Sequence, residues 1–354
     1  MVDVKILVAS HKPFKVPKGD VFLPIHVGRK IAKELSKDGR INQADYEWLL
    51  LNAIGDDDGE NISNRNRYYS ECSALYWAWK NYDKLGNPDY IGLMHYRRHF
   101  VFNEEYFSSR EKNKWEKALG FVSEIFIDDD YLSKICLCDE VIETACEKYD
   151  LVVSKDARLD LIDRCSLRDD YAKTIPGVKV EDFDLMLDVI KDKFPEYSEI
   201  VDENVKSCSK SLYQMFIMTK DLFFEYCEFL FGVLFEVEAT INFDEYSTNG
   251  KRTLGYLAED LLSFFVWKKE RENLRVLKLG VTMVEFPYED EVIKQIYNKG
   301  VGSYLDYLKL KFKSLFLKGE AKQTNKEKYQ GLRQQRKLYK KLERIMKEEG
   351  YAKA

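Results

Sequence analysis

The 354-residue sequence lacks any uninterrupted apolar run near the length that a membrane-spanning helix requires, about 18 residues or more. We expect no signal peptide at its start, because the short apolar stretch there carries Asp3 and Lys5. The seven cysteines are odd in number and form no C-x-x-C pair, and the four histidines form no H-E-x-x-H motif. These absences argue against a membrane-spanning protein, a disulfide-stapled scaffold and the common zinc sites, and they predict a cytoplasmic protein.

Charge is unevenly distributed along the chain, whose formal net charge is −5. Residues 303–354 carry 15 Lys and Arg against 6 Asp and Glu, whereas the preceding 302 residues carry 41 against 55. An acidic body argues against nucleic acid as its partner. A basic terminal segment is typical of one that contacts a membrane surface or a partner protein.

Short apolar runs alternate with amphipathic helical patterns along the acidic body. The predicted strands are 4–10, 90–94, 149–154, 212–218 and 276–286, and the predicted helices are 67–82, 221–237 and 252–267. This alternation is typical of an α/β fold. An N-terminal apolar strand that runs directly into a polar loop begins many nucleotide-binding α/β domains.

The run His95-Tyr-Arg-Arg98 follows the apolar strand at 90–94. Open α/β sheets bind ligands at the carboxyl ends of such strands. Arginine remains charged and donates paired hydrogen bonds that match phosphate oxygens, so Arg97 and Arg98 suit a diphosphate. Salt bridges with the acidic body are the alternative interpretation of the same two residues.

Polar residues fill a turn-rich stretch ahead of the helix at 67–82. Asp56, Asp57 and Asp58 are oxygen ligands that suit Mg²⁺ or Mn²⁺ against a diphosphate, but an acidic solvated turn explains them as well. The segment Asn61-Ile-Ser-Asn-Arg-Asn66 offers groups that suit an anion or a nucleoside just before a helix. A plain capped loop is its alternative interpretation.

Glu259 and Asp260 are adjacent acids within the predicted helix at 252–267. Successive helical residues project about 100° apart, so at most one of these carboxylates faces a given site. A carboxylate in a cleft can remove a proton from a sugar hydroxyl as a general base. A solvated acidic helix face explains the same pair equally well.

Several longer runs occur together in one order along the chain. They are Gly55-Asp-x-x-Gly-Glu-Asn-Ile-Ser63, Asn66-x-x-Tyr-x-Glu-x-x-Ala-Leu-Tyr-Trp-Ala-Trp-Lys-Asn81, Asp89-Tyr-Ile-Gly-Leu-x-His-Tyr-Arg-Arg98, Met215-Phe-Ile-Met218 and Arg252-x-x-Gly-Tyr-Leu-Ala-Glu259. Over about residues 4–285 the chain thereby resembles the bacterial capsular-polysaccharide glycosyltransferase family catalogued as domain of unknown function 4422.

The resemblance implies a GT-A-like (Rossmann-like) α/β domain over residues 1–290 that binds a nucleotide sugar. It implies an inverting enzyme that moves a hexose, galactofuranose or galactose, from a UDP-sugar to a glycan acceptor. For a capsule or surface-polysaccharide enzyme we expect this acceptor to be lipid-linked. A non-catalytic scaffold of a polysaccharide-assembly complex with the same fold, and a sugar-phosphate transferase or phosphorylase, are the alternatives.

The resemblance also implies roles for individual residues. The uridine of the donor is expected against Ser10, His11, Lys12, Asn61, Ser63 and Asn66, and the diphosphate against His95, Arg97 and Arg98. Glu259 is the expected base, and Asp260 is the second candidate. GT-A enzymes place an Asp-x-Asp metal site where this chain has His95-Tyr-Arg-Arg98, so we expect the arginines to supply some or all of the charge of Mn²⁺ or Mg²⁺. Metal dependence is left open.

The segment 291–354 lies outside the resemblance and is predicted to form a helical, basic, amphipathic extension. Seven apolar residues between 301 and 317 fall on one helical stripe that lysines flank. Such a stripe suits the membrane interface, where basic residues reach anionic headgroups. We therefore expect residues 301–347 to contact the cytoplasmic membrane surface. Packing of the stripe on the body or on a second subunit is the alternative.

Overall fold

The strands of the computed structural model, which describes residues 2–35, 40–174 and 177–286, coincide with short apolar runs of the sequence. Val, Ile, Leu and Phe dominate the longer ones, as expected for strands that are buried on both faces. The strands are β1 (Val4–Ser10), β2 (Phe22–His26), β3 (Ile54–Gly55), β4 (Tyr90–His95), β5 (Arg98–Val101), β6 (Phe121–Phe126), β7 (Leu151–Ser154), β8 (Ala157–Arg158), β9 (Ser209–Lys210), β10 (Phe216–Thr219) and β11 (Val276–Phe286).

Nine of the described strands form one mixed sheet. Strands β3, β2, β1 and β4 lie side by side in that order and run parallel, so the strand order reverses between β1 and β4. Strand β10 runs antiparallel between β4 and β7, and β11 runs parallel to β7 and β6. Strand β5 pairs antiparallel with β4 and β11 and closes a ring of strands. Ligands of open parallel sheets bind where the order reverses, at the carboxyl ends.

Strands β1 and β4 form the buried centre of this sheet. Every residue of β1 except Lys5 is buried, and five of the six β4 residues are buried. Gly92 lets β4 approach β10 closely, because a Cβ at this position would lie 2.8 Å from the carbonyl oxygen of Phe216. This close packing fixes the end of β4, from which His95 and the two arginines extend.

Helices surround the sheet and bury apolar faces against it. They are α1 (Gln43–Asn52), α2 (Asn66–Tyr69), α3 (Cys72–Lys80), α4 (Glu104–Ser109), α5 (Lys114–Leu119), α6 (Asp129–Lys134), α7 (Asp139–Lys148), α8 (Leu167–Thr174), α9 (Val180–Lys193), α10 (Ser198–Asn204), α11 (Lys220–Thr240) and α12 (Thr253–Arg271). Helix α11 packs against α3, α9 and α12. The rings of Trp79 and Phe231 stack there, with centroids 5.8 Å apart.

The predicted strands and helices are confirmed, mostly with ends shifted by a few residues, but the backbone is irregular at two places. The predicted helix at 67–82 is split into α2 and α3, because Ser70 has a φ of 51°. The predicted strand at 212–218 begins only at Phe216, because Tyr213 and Gln214 have φ values of 73° and 50°. Such conformations cost about 1–3 kcal/mol each in non-glycine residues and cluster at functional sites.

The predicted domain boundary at 290 and the tail at 291–354 lie outside the described residues, as does the expected membrane-contact segment 301–347. Within the described ranges, no helix combines the length and apolar character needed to cross a bilayer.

Candidate active site

The segments that follow β1 and β4 meet at the point where the strand order reverses. The ring of His11, directly after β1, lies edge-on to the ring of Tyr96, with centroids 5.4 Å apart. The guanidinium of Arg97 lies 5.2 Å from the centroid of the same ring. Two residues predicted to contact the donor are therefore brought to one aromatic side chain, and both are exposed to solvent.

Ser10 shapes the loop after β1. Its Oγ accepts a hydrogen bond from the backbone N–H of Lys12 at 3.1 Å and donates to the carbonyl of the same residue. Ser10 is buried, whereas His11 and Lys12 are exposed. Ser10 therefore holds the turn, and its two successors present their side chains at the edge of the sheet.

His95, the last residue of β4, is held as a neutral imidazole. Its Nε2 lies 2.6 Å from the carbonyl oxygen of Tyr213, and a carbonyl only accepts, so Nε2 carries the hydrogen. Burial lowers the pKa of His95 to about 3, and the positive charge of Arg98 acts in the same direction. At neutral pH this residue adds hydrogen-bonding capacity to the site and no charge.

Tyr213 organises the loop before β10. Its hydroxyl donates to the carbonyl of Leu119 at 2.7 Å, and its ring lies under the guanidinium of Arg98, with 5.4 Å between the guanidinium carbon and the ring centroid. No carboxylate of the described residues lies within ion-pair distance of Arg98. The salt-bridge interpretation of Arg97 and Arg98 stays open, because the charge of Arg98 acts on the carboxyl groups of Glu71 and Glu259.

The first turns of α12 pack closely on the junction between α2 and α3. A Cβ on Gly255 would lie 2.8 Å from Oγ of Ser70, so only glycine permits this approach. Arg252 Nε donates to the same Oγ at 3.1 Å. Because Glu259 follows Gly255 by four residues, it lies on the same face of α12. This packing directs the predicted base toward the site.

Glu259 lies in a mixed electrostatic environment. Burial raises the pKa of its carboxyl group, the charges of Lys210 and Arg98 lower it, and the negative charge of Glu71 raises it again. The backbone N–H of Tyr213 also faces the carboxylate. A carboxyl group with a raised pKa accepts a proton more readily near neutral pH, which suits a general base.

Asp260, the second candidate, lies in the core and is 0% exposed. Lys210 Nζ lies 3.0 Å from its Oδ1 and 2.9 Å from Oδ2 of Asp170. Burial raises the pKa of Asp260 to about 6, and the charge of Lys210 opposes this rise. An acceptor cannot reach a carboxylate that is fully enclosed in this way. Glu259 is therefore the acid of the pair that faces the site.

Sequence reasoning assigned no role to Glu71, although the specific run Asn66–Asn81 contains it. Its carboxylate Oε1 lies 3.9 Å from Nε2 of His95, and its side chain is 14% exposed. Burial raises its pKa, while the charges of Arg252 and Arg98 lower it. The signal in the sequence that could have identified Glu71 is its position, as an acidic residue, beside a strongly apolar helical pattern. We call Glu71, His95, Arg98, Arg252 and Glu259 the switch-point cluster.

Asp56 is a buried structural hub. Its Oδ2 accepts from the backbone N–H of Gly28 at 2.7 Å and from Ser73 Oγ at 2.7 Å. Its Oδ1 accepts from the backbone N–H of Arg29 at 3.0 Å and from Ser63 Oγ at 2.6 Å. Burial raises the pKa of Asp56, and these four donors counteract the rise. They occupy the lone pairs that a metal ion would need.

The aspartates at 56–58 do not fit a metal site. Asp58 is exposed and accepts from Trp77 Nε1 at 2.6 Å and from Lys84 Nζ at 2.9 Å. Asp57 is partly exposed beside the fully bonded Asp56. No three His, Cys, Asp or Glu side chains among the described residues are arranged to hold a metal ion. We derive no step through a metal at these aspartates.

The three residues expected against the nucleoside between 61 and 66 are bonded within the protein. Asn61 Nδ2 donates to the carbonyl of Gly59 at 2.9 Å, and Ser63 belongs to the Asp56 network. Asn66 Nδ2 donates to the carbonyl of Ser70 at 2.6 Å. These contacts fit the interpretation of a structural loop. Donor contacts from these residues stay a prediction.

We expect Asp56→Asn to lower the free energy of unfolding by about 2–4 kcal/mol, because the amide turns an acceptor into a donor among four donors. Chemical denaturation measures this change. Asp83→Asn, at an exposed aspartate, is the matched control. An unchanged midpoint in Asp56→Asn would show that the network adds little to stability.

Comparison with known proteins gives the family. The family model described as domain of unknown function (DUF4422) matches residues 5–271. The chain belongs to this family. The resemblance seen in the sequence is therefore confirmed, and the matched range of the DUF4422 domain ends at the last residue of α12 and contains the whole switch-point cluster.

A solved structure resembles this DUF4422 domain. It is the apo structure of the WbbM bifunctional glycosyltransferase, with a TM-score of 0.68 and 30% sequence identity. The similarity covers 80% of this chain and 45% of that chain, so the present chain matches less than half of that protein. No curated protein sequence matches the chain.

Proposed function

We propose that this DUF4422 protein is an inverting glycosyltransferase that moves a hexose, galactofuranose or galactose, from a UDP-sugar to a lipid-linked glycan acceptor in capsular or surface polysaccharide synthesis. One observation carries the proposal: arginines, a neutral histidine and two carboxylates converge where the strand order reverses. The similarity to a structure titled a bifunctional glycosyltransferase supports glycosyl transfer as the reaction class.

The order of the parallel strands supports a GT-A-like arrangement of the donor. Four parallel strands in the order β3, β2, β1 and β4 offer one edge to a nucleotide, and β10 runs antiparallel beside them. We place the uridine over the loop of His11 and Lys12 and the diphosphate beside Arg97 and Arg98. In this placement the anomeric carbon of the donor lies at the carboxyl end of β4, next to the switch-point cluster.

The diphosphate leaving group needs its developing negative charge neutralised. In this arrangement Arg98, positioned by the ring of Tyr213, and the exposed Arg97 supply that charge. Arginine suits this role because its planar guanidinium donates two parallel hydrogen bonds to phosphate oxygens. A divalent metal held chiefly by the donor's own phosphates is compatible with this arrangement, and the effect of EDTA measures it.

Glu259 removes the proton of the acceptor hydroxyl as that oxygen attacks the anomeric carbon. The bond to the new oxygen forms while the bond to the diphosphate oxygen breaks, and UDP leaves with the electron pair. A single in-line displacement inverts the anomeric configuration. Positioning of both substrates and electrostatic stabilisation of the leaving group supply the rate enhancement.

The pH dependence of kcat follows from the raised pKa of Glu259. The base works only when deprotonated, so a raised pKa moves the acidic limb of the kcat profile to higher pH. We expect this limb to lie above about 4.3, the ordinary value for glutamate. Turnover at saturating donor across pH checks this, with circular dichroism at each pH as the folding control. A limb at or below the ordinary value would remove Glu259 as the titrating group.

Release of UDP from a panel of UDP-sugars, with and without EDTA, tests the function. Release with one donor identifies the sugar, whereas turnover of the donor without release of UDP would favour a phosphorylase or sugar-phosphate transferase. Absence of both UDP release and UDP binding by calorimetry would favour the scaffold alternative. Binding without release calls for a lipid-linked acceptor in the assay.

A further inference from the structure

Glu71 occupies a place in the switch-point cluster that the proposed reaction leaves without a task. Its negative charge does not suit the diphosphate, and Glu259 already serves as the base. Yet its side chain is only 14% exposed and lies 3.9 Å from the His95 ring, which burial keeps neutral. Holding a carboxylate in such a place costs free energy unless a ligand or partner compensates.

The fold positions this carboxylate from both sides. Ser70, the preceding residue, has a φ of 51°, and its carbonyl accepts from Asn66 Nδ2 at 2.6 Å. Its Oγ accepts from Arg252 Nε at 3.1 Å, in the contact that Gly255 makes possible. Asn66 also donates to Ser73 Oγ, which is bonded to the buried Asp56 hub. A rigid network therefore fixes the backbone that carries Glu71.

The oxygens of Glu71 are largely unused by the protein. Apart from its own backbone N–H, no donor of the described residues lies within hydrogen-bond distance of this carboxylate. Arg98 and Arg252 affect its pKa but form no ion pair with it in the described structure. A carboxylate that only its own backbone N–H bonds, and on which the charges of two arginines act, matches a ligand that carries neighbouring hydroxyl groups next to an anionic group.

A UDP-hexose is such a ligand. We propose that Glu71 accepts hydrogen bonds from hydroxyl groups of the transferred hexose and thereby selects the donor sugar. The inference rests on the proposed function, because it needs a sugar diphosphate in this cleft. A site built to hydrogen-bond a hydroxyl discriminates strongly against donors that lack or misplace it, since its polar groups are then left unpaired.

The test compares UDP with UDP-sugars by calorimetry and by donor turnover in the full-length chain. Glu71→Gln keeps the size of the side chain and removes its charge. Glu71→Asp keeps the charge but shortens the side chain by one methylene, which moves the carboxylate away from the sugar. Glu147→Gln, at an exposed glutamate of α7, is the matched control. We expect both Glu71 variants to bind UDP within about twofold of the parent. Their affinity for the preferred UDP-hexose should fall about 10- to 100-fold, the range for hydrogen bonds to a charged group.

In the Glu71 variants kcat/KM for the preferred UDP-hexose should also come closer to kcat/KM for its epimers. An equal loss of affinity for UDP and for the UDP-sugar would show that Glu71 contributes to nucleotide binding or to folding. That result would overturn this inference and leave the proposed function standing. A fall in kcat with unchanged sugar affinity would also overturn it. Failure of the parent protein to bind either ligand would instead overturn the proposed function and remove the basis of this inference.

Discussion

We expect Glu259→Gln to lower kcat for glycosyl transfer by about 10²- to 10⁴-fold, the usual contribution of a positioned general base. Glutamine fills the same volume and preserves the packing of α12, but it cannot accept the hydroxyl proton. Affinity for UDP should change little, because this carboxylate does not face the diphosphate in the proposed arrangement. Initial rates of UDP release at saturating donor and acceptor, with UDP binding measured in parallel, check both parts.

The matched control is Glu228→Gln, at an exposed glutamate of α11. It should keep parental kcat and stability. The adjacent Asp260→Asn should chiefly lower stability, because it removes one of the two carboxylates that hold the buried Lys210. If Glu259→Gln retained parental kcat while Asp260→Asn lost turnover without unfolding, our assignment of the base would be reversed.

The second large effect is expected for Arg98→Ala. Loss of its guanidinium should lower kcat by about 10²- to 10³-fold, which is typical of removing one group that stabilises developing charge. The affinity for UDP should fall as well, since the same group binds the ground-state diphosphate. Rates of UDP release at saturating donor measure the change in kcat, and calorimetry measures the change in UDP affinity.

Arg98→Lys distinguishes charge from geometry. Lysine keeps the positive charge but lacks the planar pair of donors, so we expect partial recovery of UDP affinity and incomplete recovery of kcat. Arg168→Ala, at an exposed arginine paired with Asp184, is the control. Parental UDP affinity and turnover in Arg98→Ala, with or without EDTA, would refute the role of this arginine in the diphosphate site.

Much of the fold and part of the site could be predicted from local sequence. Strand Val4–Ser10 is a short apolar run that is buried except at Lys5, which leaves it few alternatives to a central strand. The arginines at the end of β4 could be recognised because ligands gather at the carboxyl ends of parallel strands. The choice of Glu259 relied on the resemblance to a family, since the local pattern left a solvated helix face equally open.

Contacts between distant segments decided the rest. Adjacent acids look alike in sequence, but packing places Asp260 beside Lys210 in the core and leaves Glu259 at the cleft. In the sequence Asp56 is a candidate metal ligand, but in the structure four donors from separate segments bond its oxygens.

The local signal for Glu71 was weak, an acid beside an apolar helical pattern, because its position depends on the φ of Ser70 and on the absence of a side chain at Gly255, 184 residues further along the chain. Sequence by itself determined the apolar periodicity, the charge at the strand ends and the family. Only the tertiary structure decided which polar side chains are satisfied within the protein, because hydrogen-bond partners far apart in sequence are set by packing.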